Sequence, residues 1–161
     1  MRSEREAEQA IERYADTVKR LCMIYLKNHA DTEDVFQNVF LKYVLHPMPF
    51  RDREHEKAWF IRVTVNECKD VLKSAFRRRN VPLENARELA AEETRGTDVI
   101  DAVRSLPQKY KDVVYLHYYE GYTAAEIGRI LHRRENTVYT HLARAREALR
   151  ERLGDDFEHD T

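Results

Sequence analysis

Apolar residues recur at intervals of three and four positions through most of this 161-residue chain. The first such segment contains Ile11, Tyr14, Ala15, Val18, Leu21, Cys22 and Tyr25. This spacing places side chains on one face of an α-helix, whereas a half-buried strand would alternate every second residue. Only four Gly and four Pro are available to interrupt the pattern. The sequence therefore predicts an all-α fold class.

Proline and glycine residues divide the pattern into separate helices. The predicted helical segments are 8–28, 32–45, 56–79, 98–106, a segment between Pro107 and Gly121, a short helix capped by Thr123, and 135–153. Gly121 is a predicted left-handed cap, and Thr123 with Glu126 has the spacing of a capping box. The pattern indicates two small helical domains, 1–79 and 98–154, joined by a flexible acidic linker at 80–97 and followed by an acidic tail at 155–161.

The charge balance excludes some functions and constrains others. The chain has 28 Lys and Arg against 29 Asp and Glu, so any nucleic-acid contact must come from local basic faces. No apolar run is long enough to span a membrane, and residues 1–6 lack the apolar core of a signal peptide. We therefore expect a cytoplasmic protein without membrane insertion. Cys22 and Cys68 are predicted to be buried reduced thiols, and we expect no metal site, cofactor or catalytic residue.

The segment from Gly121 to Leu149 has the pattern of a helix-turn-helix: a capped short helix, a three-residue turn and a longer helix. Its second helix is predicted to bury Val138, Leu142, Ala145 and Leu149. The outer face of this helix contains Asn136, Tyr139, Thr140, Ala143 and Arg144, flanked by Arg133, Arg134, Arg146 and Arg150. Polar and basic side chains of this kind contact base edges and phosphates. The alternative is a purely structural helical pair, which is common in bundles.

The predicted helix 56–79 has an apolar face of Ala58, Ile61, Val65, Cys68, Leu72 and Phe76. It carries a second stripe about 100° from that face. Its members are Trp59, Arg62, Asn66, Lys69, Lys73 and Arg77. An indole, an amide and several cations on one face suit single-stranded bases, which stack on aromatic rings beside positive charge. Alternatively, Trp59 is a core residue and the basic run is a solvated helix end.

The segment 31–41 combines an apolar face with an acidic and amide rim. The rim and its apolar neighbour are Asp31, Glu33, Asp34, Gln37, Asn38 and Leu41. Such a helix could dock a protein, although a capped core helix would show the same pattern.

Together these segments resemble the extracytoplasmic-function sigma factors, the minimal two-domain group of bacterial sigma factors. Residues 59–66 are similar to the family pattern WLYRIAxN, residues 121–128 to GxSxxEIA, and residues 136–146 to the recognition helix. Residues 106–114 resemble the entry to sigma domain 4. The family more often has a basic residue at Tyr139 and an arginine at His141, which leaves the minus-35 sequence open.

The resemblance implies a role for each group of residues. Core RNA polymerase would contact the rim of 31–41. Single-stranded minus-10 DNA would contact the stripe of helix 56–79 together with Arg51 and Lys57. Double-stranded minus-35 DNA would contact Thr123, Arg133, Arg134, Asn136, Thr137, Tyr139, Thr140, His141, Ala143, Arg144 and Arg146.

The resemblance further implies a transcription initiation factor without an active site, held inactive by an anti-sigma factor. A stand-alone helix-turn-helix regulator, binding DNA as a dimer, is the main alternative; the stripe beginning at Trp59 argues against it. A purely protein-binding helical adaptor is the second, and the arginines of 133–152 argue against it.

Overall fold

The computed structural model describes residues 1–79 and 98–153, without the side chains of residues 76–79, 98–100 and 153. The predicted linker 80–97 and acidic tail 155–161 lie outside the described residues. Within the described ranges the secondary structure is helical and contains no strand, which confirms the all-α prediction. The helices form two compact units, called here the N-terminal and C-terminal units.

The N-terminal unit contains three mutually packed helices: α1 (Glu4–Tyr25), α2 (His29–Leu45) and α3 (Arg53–Arg79). All three begin three or four residues before the predicted starts. The reason is the position of the capping residues. Ser3 Oγ accepts the Glu6 N–H at 3.1 Å, Asn28 Oδ1 accepts the Asp31 N–H at 2.7 Å, and Asp52 Oδ1 accepts the His55 N–H at 2.8 Å. Each cap satisfies a backbone donor that the helix cannot satisfy itself.

The core of the N-terminal unit is rich in aromatic rings. Tyr14 stacks on Phe60 with ring centroids 4.5 Å apart, and Phe60 also contacts Phe40 and Tyr43. The apolar face predicted for α1 was wrong at Ile11, which is 38% exposed, because the helix turns Ala10 into the core instead. The predicted apolar face of α3 missed Phe60, which is fully buried.

Cys22 of α1 and Cys68 of α3 are buried free thiols with their Sγ atoms 3.9 Å apart. The hydrogen bond to Cys22 and burial raise the pKa of Cys68. The prediction of two buried reduced thiols is confirmed.

The C-terminal unit contains α4 (Asp98–Ser105), α5 (Gln108–Val114), a five-residue π-helical turn (Tyr115–Tyr119), α6 (Ala124–Leu131) and α7 (Glu135–Leu153). The sequence predicted a continuous helix up to Gly121, so the π turn is a departure. Gly121 has φ +79°, and Thr123 and Glu126 form the complete capping box. Both cap predictions are confirmed.

Helix α7 packs on α4, α5 and α6. Its buried residues are the four that the sequence predicted: Val138, Leu142, Ala145 and Leu149. Burial of this stripe fixes which side of α7 faces away from the unit.

Candidate nucleic-acid and polymerase interfaces

The outer face of α7 is exposed as the sequence predicted. Asn136, Tyr139, Thr140, Ala143 and Arg144 all lie on the surface, and Tyr139 is 57% exposed. The Thr140 hydroxyl donates to the Asn136 carbonyl at 3.0 Å, so its oxygen can accept a further hydrogen bond. This face can therefore offer donors and acceptors to a groove of DNA.

The turn between α6 and α7 is tight and depends on backbone geometry. His132 ends α6 in the left-handed conformation, with φ +57°. The Arg133 N–H donates to the Gly128 carbonyl at 2.9 Å. A Cβ on Gly128 would lie 2.7 Å from the Arg133 carbonyl oxygen, closer than real Cβ contacts allow. Only glycine permits this close approach of the backbone of α6 to the backbone of the turn.

Arg133 does not lie on the exposed face with the other predicted DNA contacts. Its guanidinium makes a two-pronged contact with Asp112 of α5, with Nη1 at 2.9 Å from Oδ1. The Asp112 side chain is fully buried, and that of Arg133 is only 18% exposed. The ion pair anchors the turn to α5. It also neutralises the positive charge of Arg133, which the sequence analysis expected to contact DNA.

His141 also faces inward. Its ring lies 5.4 Å from that of Tyr110, and its Nδ1 is buried with no hydrogen-bond partner among the described residues. Burial lowers the pKa of His141, and nearby Arg133, Lys109 and Arg144 lower it further, against the opposing effect of Asp112. His141 is therefore part of the packing between α5 and α7.

The remaining residues predicted to contact minus-35 DNA differ in their exposure and in their hydrogen bonds. Arg134 is exposed, and Thr137 is half-buried. Thr123 is exposed, but its hydroxyl accepts the Glu126 N–H at 3.2 Å. Arg146 is exposed and donates from Nε to the hydroxyl of Tyr118 in the π turn. The sequence analysis did not identify Tyr118.

In the N-terminal unit, Trp59 lies at the edge of an aromatic cluster rather than on an open stripe. It is half-buried, and its ring lies 5.3 Å from His46, 5.7 Å from Phe50 and 6.2 Å from Tyr43. The segment before α3 supplies two of these rings. Trp59 therefore has both the core contacts of the alternative interpretation and a partly accessible face.

The other residues predicted to contact minus-10 DNA differ in their exposure and in their position around α3. Arg62, Asn66, Lys69 and Lys73 lie along one side by helical geometry, with Asn66 and Lys73 exposed and the other two half-buried. Lys57 is about 200° from Trp59 and is off this stripe. Arg51 is exposed in the bend before α3, and its N–H donates to His55 Nδ1 at 3.1 Å. The side chain of Arg77 is outside the described residues.

A cavity of about 370 Å³ lies beside the segment before α3. Its lining includes Pro49, Phe50 and Asp52 from that segment and four residues of the N-terminal region: Arg2, Glu6, Gln9 and Arg13. The stripe residues Trp59, Arg62 and Asn66 do not line it. The Arg2 guanidinium lies 4.6 Å from the ring of Tyr43 and donates to the Met48 carbonyl at 2.9 Å.

Glu56, which lines this cavity, is the acceptor in a hydrogen-bond network with residues of α1. One of its oxygens accepts hydrogen bonds from Arg13 at 2.8 Å and from the Tyr14 hydroxyl at 2.7 Å. Burial and the Glu56 carboxylate raise the pKa of Tyr14. This network ties α1 to the start of α3 and thereby fixes the position of the segment before α3.

The predicted docking rim of α2 is largely exposed. Glu33, Asp34, Gln37 and Asn38 lie on the surface, and Leu41 is 57% exposed. Asp31 is different, because its carboxylate accepts from Asn28 Nδ2 at 2.8 Å next to the helix cap. Leu45 and Met48 extend the exposed apolar area at 58% and 64% exposure. The sequence analysis missed both, since exposure at a helix end carries no periodic signal.

The docking rim is connected to α3 through a buried carboxylate. Glu67 is buried and pairs with Lys42, and Asn38 Nδ2 lies 3.5 Å from its second oxygen. Lys42 and Asn38 belong to α2, whereas Glu67 is the neighbour of Asn66 in α3.

The described residues include no cluster of three or more metal-ligating side chains. None of their helices is long and apolar enough to cross a membrane.

Two family models match the chain, one in each unit. Sigma-70 region 2 matches residues 10–79, and Sigma-70 region 4 matches residues 97–149. The chain is 30% identical over 137 residues to RNA polymerase sigma factor SigV of Bacillus subtilis, covering 83% of this chain and 82% of that relative. It is 29% identical over 150 residues to ECF RNA polymerase sigma factor SigM of Mycobacterium tuberculosis, covering 91% and 76%.

A solved structure of the sigma factor RpoE in complex with the anti-sigma factor NepR, from Bartonella quintana, has a similar fold. Its TM-score is 0.71 at 16% identity, over 92% of this chain and 97% of that chain. The two matched regions define an RNA polymerase sigma factor. The chain belongs to the extracytoplasmic-function group of that family. Matches to both regions disfavour a stand-alone helix-turn-helix regulator.

Proposed function

We propose that this sigma factor acts in the cytoplasm and performs no chemistry of its own: it brings core RNA polymerase to promoters and helps to open them. The observation that carries the proposal is that region 2 and region 4 each match a separate unit, with an exposed polar face at the expected position. We assign residues 1–79 to core docking and minus-10 recognition, 98–154 to minus-35 recognition and 80–97 to the linker.

Core polymerase docks on α2 in this proposal. The exposed part of the rim consists of Glu33, Asp34, Gln37, Asn38 and Leu41. Leu45 and Met48 are further exposed apolar residues at the end of α2 and just after it. Asp31 supports the helix cap instead of facing a partner, since its carboxylate accepts a hydrogen bond from the cap residue Asn28. An interface with an apolar centre and a polar rim is typical of specific protein association.

The minus-10 element binds the N-terminal unit as single-stranded DNA. Unstacking a base costs a few kcal/mol, which stacking and hydrogen bonds in the bound state must offset. The accessible part of Trp59 and the exposed amide of Asn66 supply these two interactions, and Arg62, Lys69 and Lys73 supply charge near the backbone. Arg51 lies in the bend before α3, where an extruded base would enter.

The minus-35 element binds the C-terminal unit as a duplex. Asn136, Tyr139, Thr140 and Arg144 of α7 face the major groove, with Arg134 and Arg146 near phosphates. Arg133 and His141 act indirectly, because both hold α7 against α5. Two weak DNA modules on one polymerase raise each other's effective concentration.

An anti-sigma factor is a further proposed partner. The solved relative RpoE is in complex with the anti-sigma factor NepR. A protein of this type would suppress activity by covering surfaces that the sigma factor needs for polymerase.

The decisive experiment adds the purified chain to core RNA polymerase and a library of promoter fragments. Promoter-specific transcripts that require the chain are the expected result. A D34A/Q37A variant should lose co-purification with core, whereas E12A, altered at an exposed site on α1, should retain it. DNA binding by a dimer of the chain alone, with no effect on transcription by core, would contradict the proposal.

A further inference from the structure

An exposed arginine beside the outer face of α7 is held by a tyrosine from the π turn. The Nε of Arg146 donates a hydrogen bond to the hydroxyl of Tyr118. The Arg146 Cζ also lies 5.8 Å from the centroid of the Tyr118 ring, within reach of a cation–π interaction. Both contacts restrict a side chain that otherwise has many rotamers.

Tyr118 is itself held in place by its neighbours. The His117 ring packs edge-on against Tyr118, with centroids 4.8 Å apart and an interplanar angle of 81°. His117 Nδ1 lies 2.8 Å from the Tyr122 carbonyl oxygen. The ring contact with His117 therefore restricts the orientation of the Tyr118 side chain in the π turn.

Arg146 stands at the edge of the DNA-facing surface. Tyr139, Ala143 and Arg146 follow one another at spacings of four and three, so they form a row along one side of the outer face. When a helix lies in the major groove, its central residues meet base edges, and residues at its edges meet the sugar–phosphate backbone.

The charge of Arg146 remains available for such a contact. Among the described residues, the guanidinium forms its hydrogen bond and its cation–π contact with Tyr118, whose side chain carries no charge that would neutralise it. With Nε occupied, the two terminal nitrogens keep their donors for an anion. Arg133 is the opposite case, because Asp112 neutralises it.

We propose that Tyr118 is a positioning residue, which holds the Arg146 guanidinium for contact with a phosphate of the minus-35 duplex. This inference rests on the proposed function of the C-terminal unit. The partner is a phosphate rather than a base, so the contact adds affinity without changing the preferred sequence.

The test uses holoenzyme reconstituted from core polymerase and the full chain, with minus-35 duplex fragments in which each phosphate in turn is a neutral methylphosphonate. With the unaltered protein, a methylphosphonate at one particular phosphate position should weaken binding. In R146A, the methylphosphonate at that position should no longer weaken binding. The slope of log affinity against log salt concentration should become less steep by about 0.9. Y118F keeps the ring and removes the hydroxyl, and should weaken binding by about threefold to tenfold.

A double-variant cycle separates positioning from general stability. Y118F should have no effect in the R146A background, and a smaller effect in R146K because lysine lacks Nε. Equal losses from Y118F with and without Arg146, or no loss at all, would overturn the proposal. So would an unchanged salt slope in R146A.

The proposed function can fail separately. If every variant and the unaltered protein bind minus-35 and scrambled duplexes equally, the C-terminal unit does not read this element. If sequence preference survives but the phosphate penalty is independent of Arg146, only the inference about Tyr118 is wrong.

Discussion

Asp112 and Arg133 join α5 to the turn of the helix-turn-helix through two contacts between a carboxylate and a guanidinium. Their positions are 21 residues apart, and the Asp112 side chain is fully buried. A buried carboxylate is tolerated only with a partner, and removing one member leaves an uncompensated charge. The turn therefore depends on an ion pair as well as on apolar packing.

Loss of Arg133 should destabilise the C-terminal unit. We expect R133A to lower its free energy of unfolding by about 3 kcal/mol, since the buried Asp112 carboxylate would lose the guanidinium that balances its charge. Amide hydrogen exchange of α5–α7 in the full chain measures the change. R134A, altered at an exposed neighbour, should stay within about 0.5 kcal/mol. A similar small change in R133A would show that water replaces the guanidinium.

Gly128 should not tolerate a methyl group. Alanine is favoured over glycine in a helix by about 1 kcal/mol, but its Cβ would lie 2.7 Å from the Arg133 carbonyl oxygen. We expect G128A to destabilise the unit by about 1–3 kcal/mol net, because backbone must move. Denaturant unfolding followed by circular dichroism measures this loss. G121A is the comparison: it has open space but a φ of +79°, and should cost about 1 kcal/mol. A stabilised G128A would mean that the turn shifts freely.

Stability of the C-terminal unit should fall in mild acid because of His141. Its pKa is lowered in the folded state, chiefly by burial, so the unfolded state binds a proton more readily. The free energy of unfolding should therefore decrease as pH falls through about 6.5, the ordinary histidine value, and level off below the lowered folded-state pKa.

The measurement for His141 must be specific to the C-terminal unit, because burial also lowers the pKa of His46 in the N-terminal unit. Hydrogen exchange of α7 between pH 5 and 7.5, corrected for intrinsic exchange, provides that resolution. H141F should remove most of the pH dependence. An identical slope in H141F would assign the effect to another group.

Arg144 should read a base. It is exposed on the outer face of α7, and R144A should cost about 1–3 kcal/mol of holoenzyme binding to a cognate minus-35 element. Competition with scrambled duplexes measures the specificity. R152A, an exposed arginine in the last turn of the same helix, should leave the preference unchanged. Equal losses of R144A on cognate and scrambled sequences would identify a phosphate contact.

Asn66 should act after the closed complex forms. Its amide is exposed on α3. If it contacts an unpaired base, as we propose, N66A should weaken open-complex formation more than initial binding. Permanganate reactivity of unpaired thymines measures opening, and a filter-binding assay at low temperature measures closed binding. E12A is the control. Unchanged permanganate reactivity in N66A would exclude the role.

The sequence predicted the helices and the α7 face well because both follow a local periodicity. Val138, Leu142, Ala145 and Leu149 point one way at regular spacing, so Asn136 and Arg144 must point another. The capping box at Thr123 and the cap at Gly121 are similarly local, since a few adjacent residues determine each.

Long-range contacts were beyond local patterns. Nothing near Arg133 indicates that Asp112 neutralises it, although a carboxylate directly before Val113 and Val114 of α5 was a signal that a partner was needed. Trp59 is partly buried and partly accessible because His46 and Phe50, from the segment before α3, pack against its ring. The π turn was also hidden, because it differs from an α-helix by a single residue in the same apolar pattern.

The π turn has a consequence for the evolution of this protein. A π-helical turn contains about one residue more than the α-helical turn it replaces. Deleting one residue between Tyr115 and Tyr119 would therefore leave a regular α-helix with the residues on either side unrotated, and would change the directions of the side chains inside the turn. Tyr118 and its support from His117 would be separated from Arg146 without any change in α7. A single codon in this turn would thus change the proposed phosphate contact of Arg146 while the outer face of α7 stayed the same.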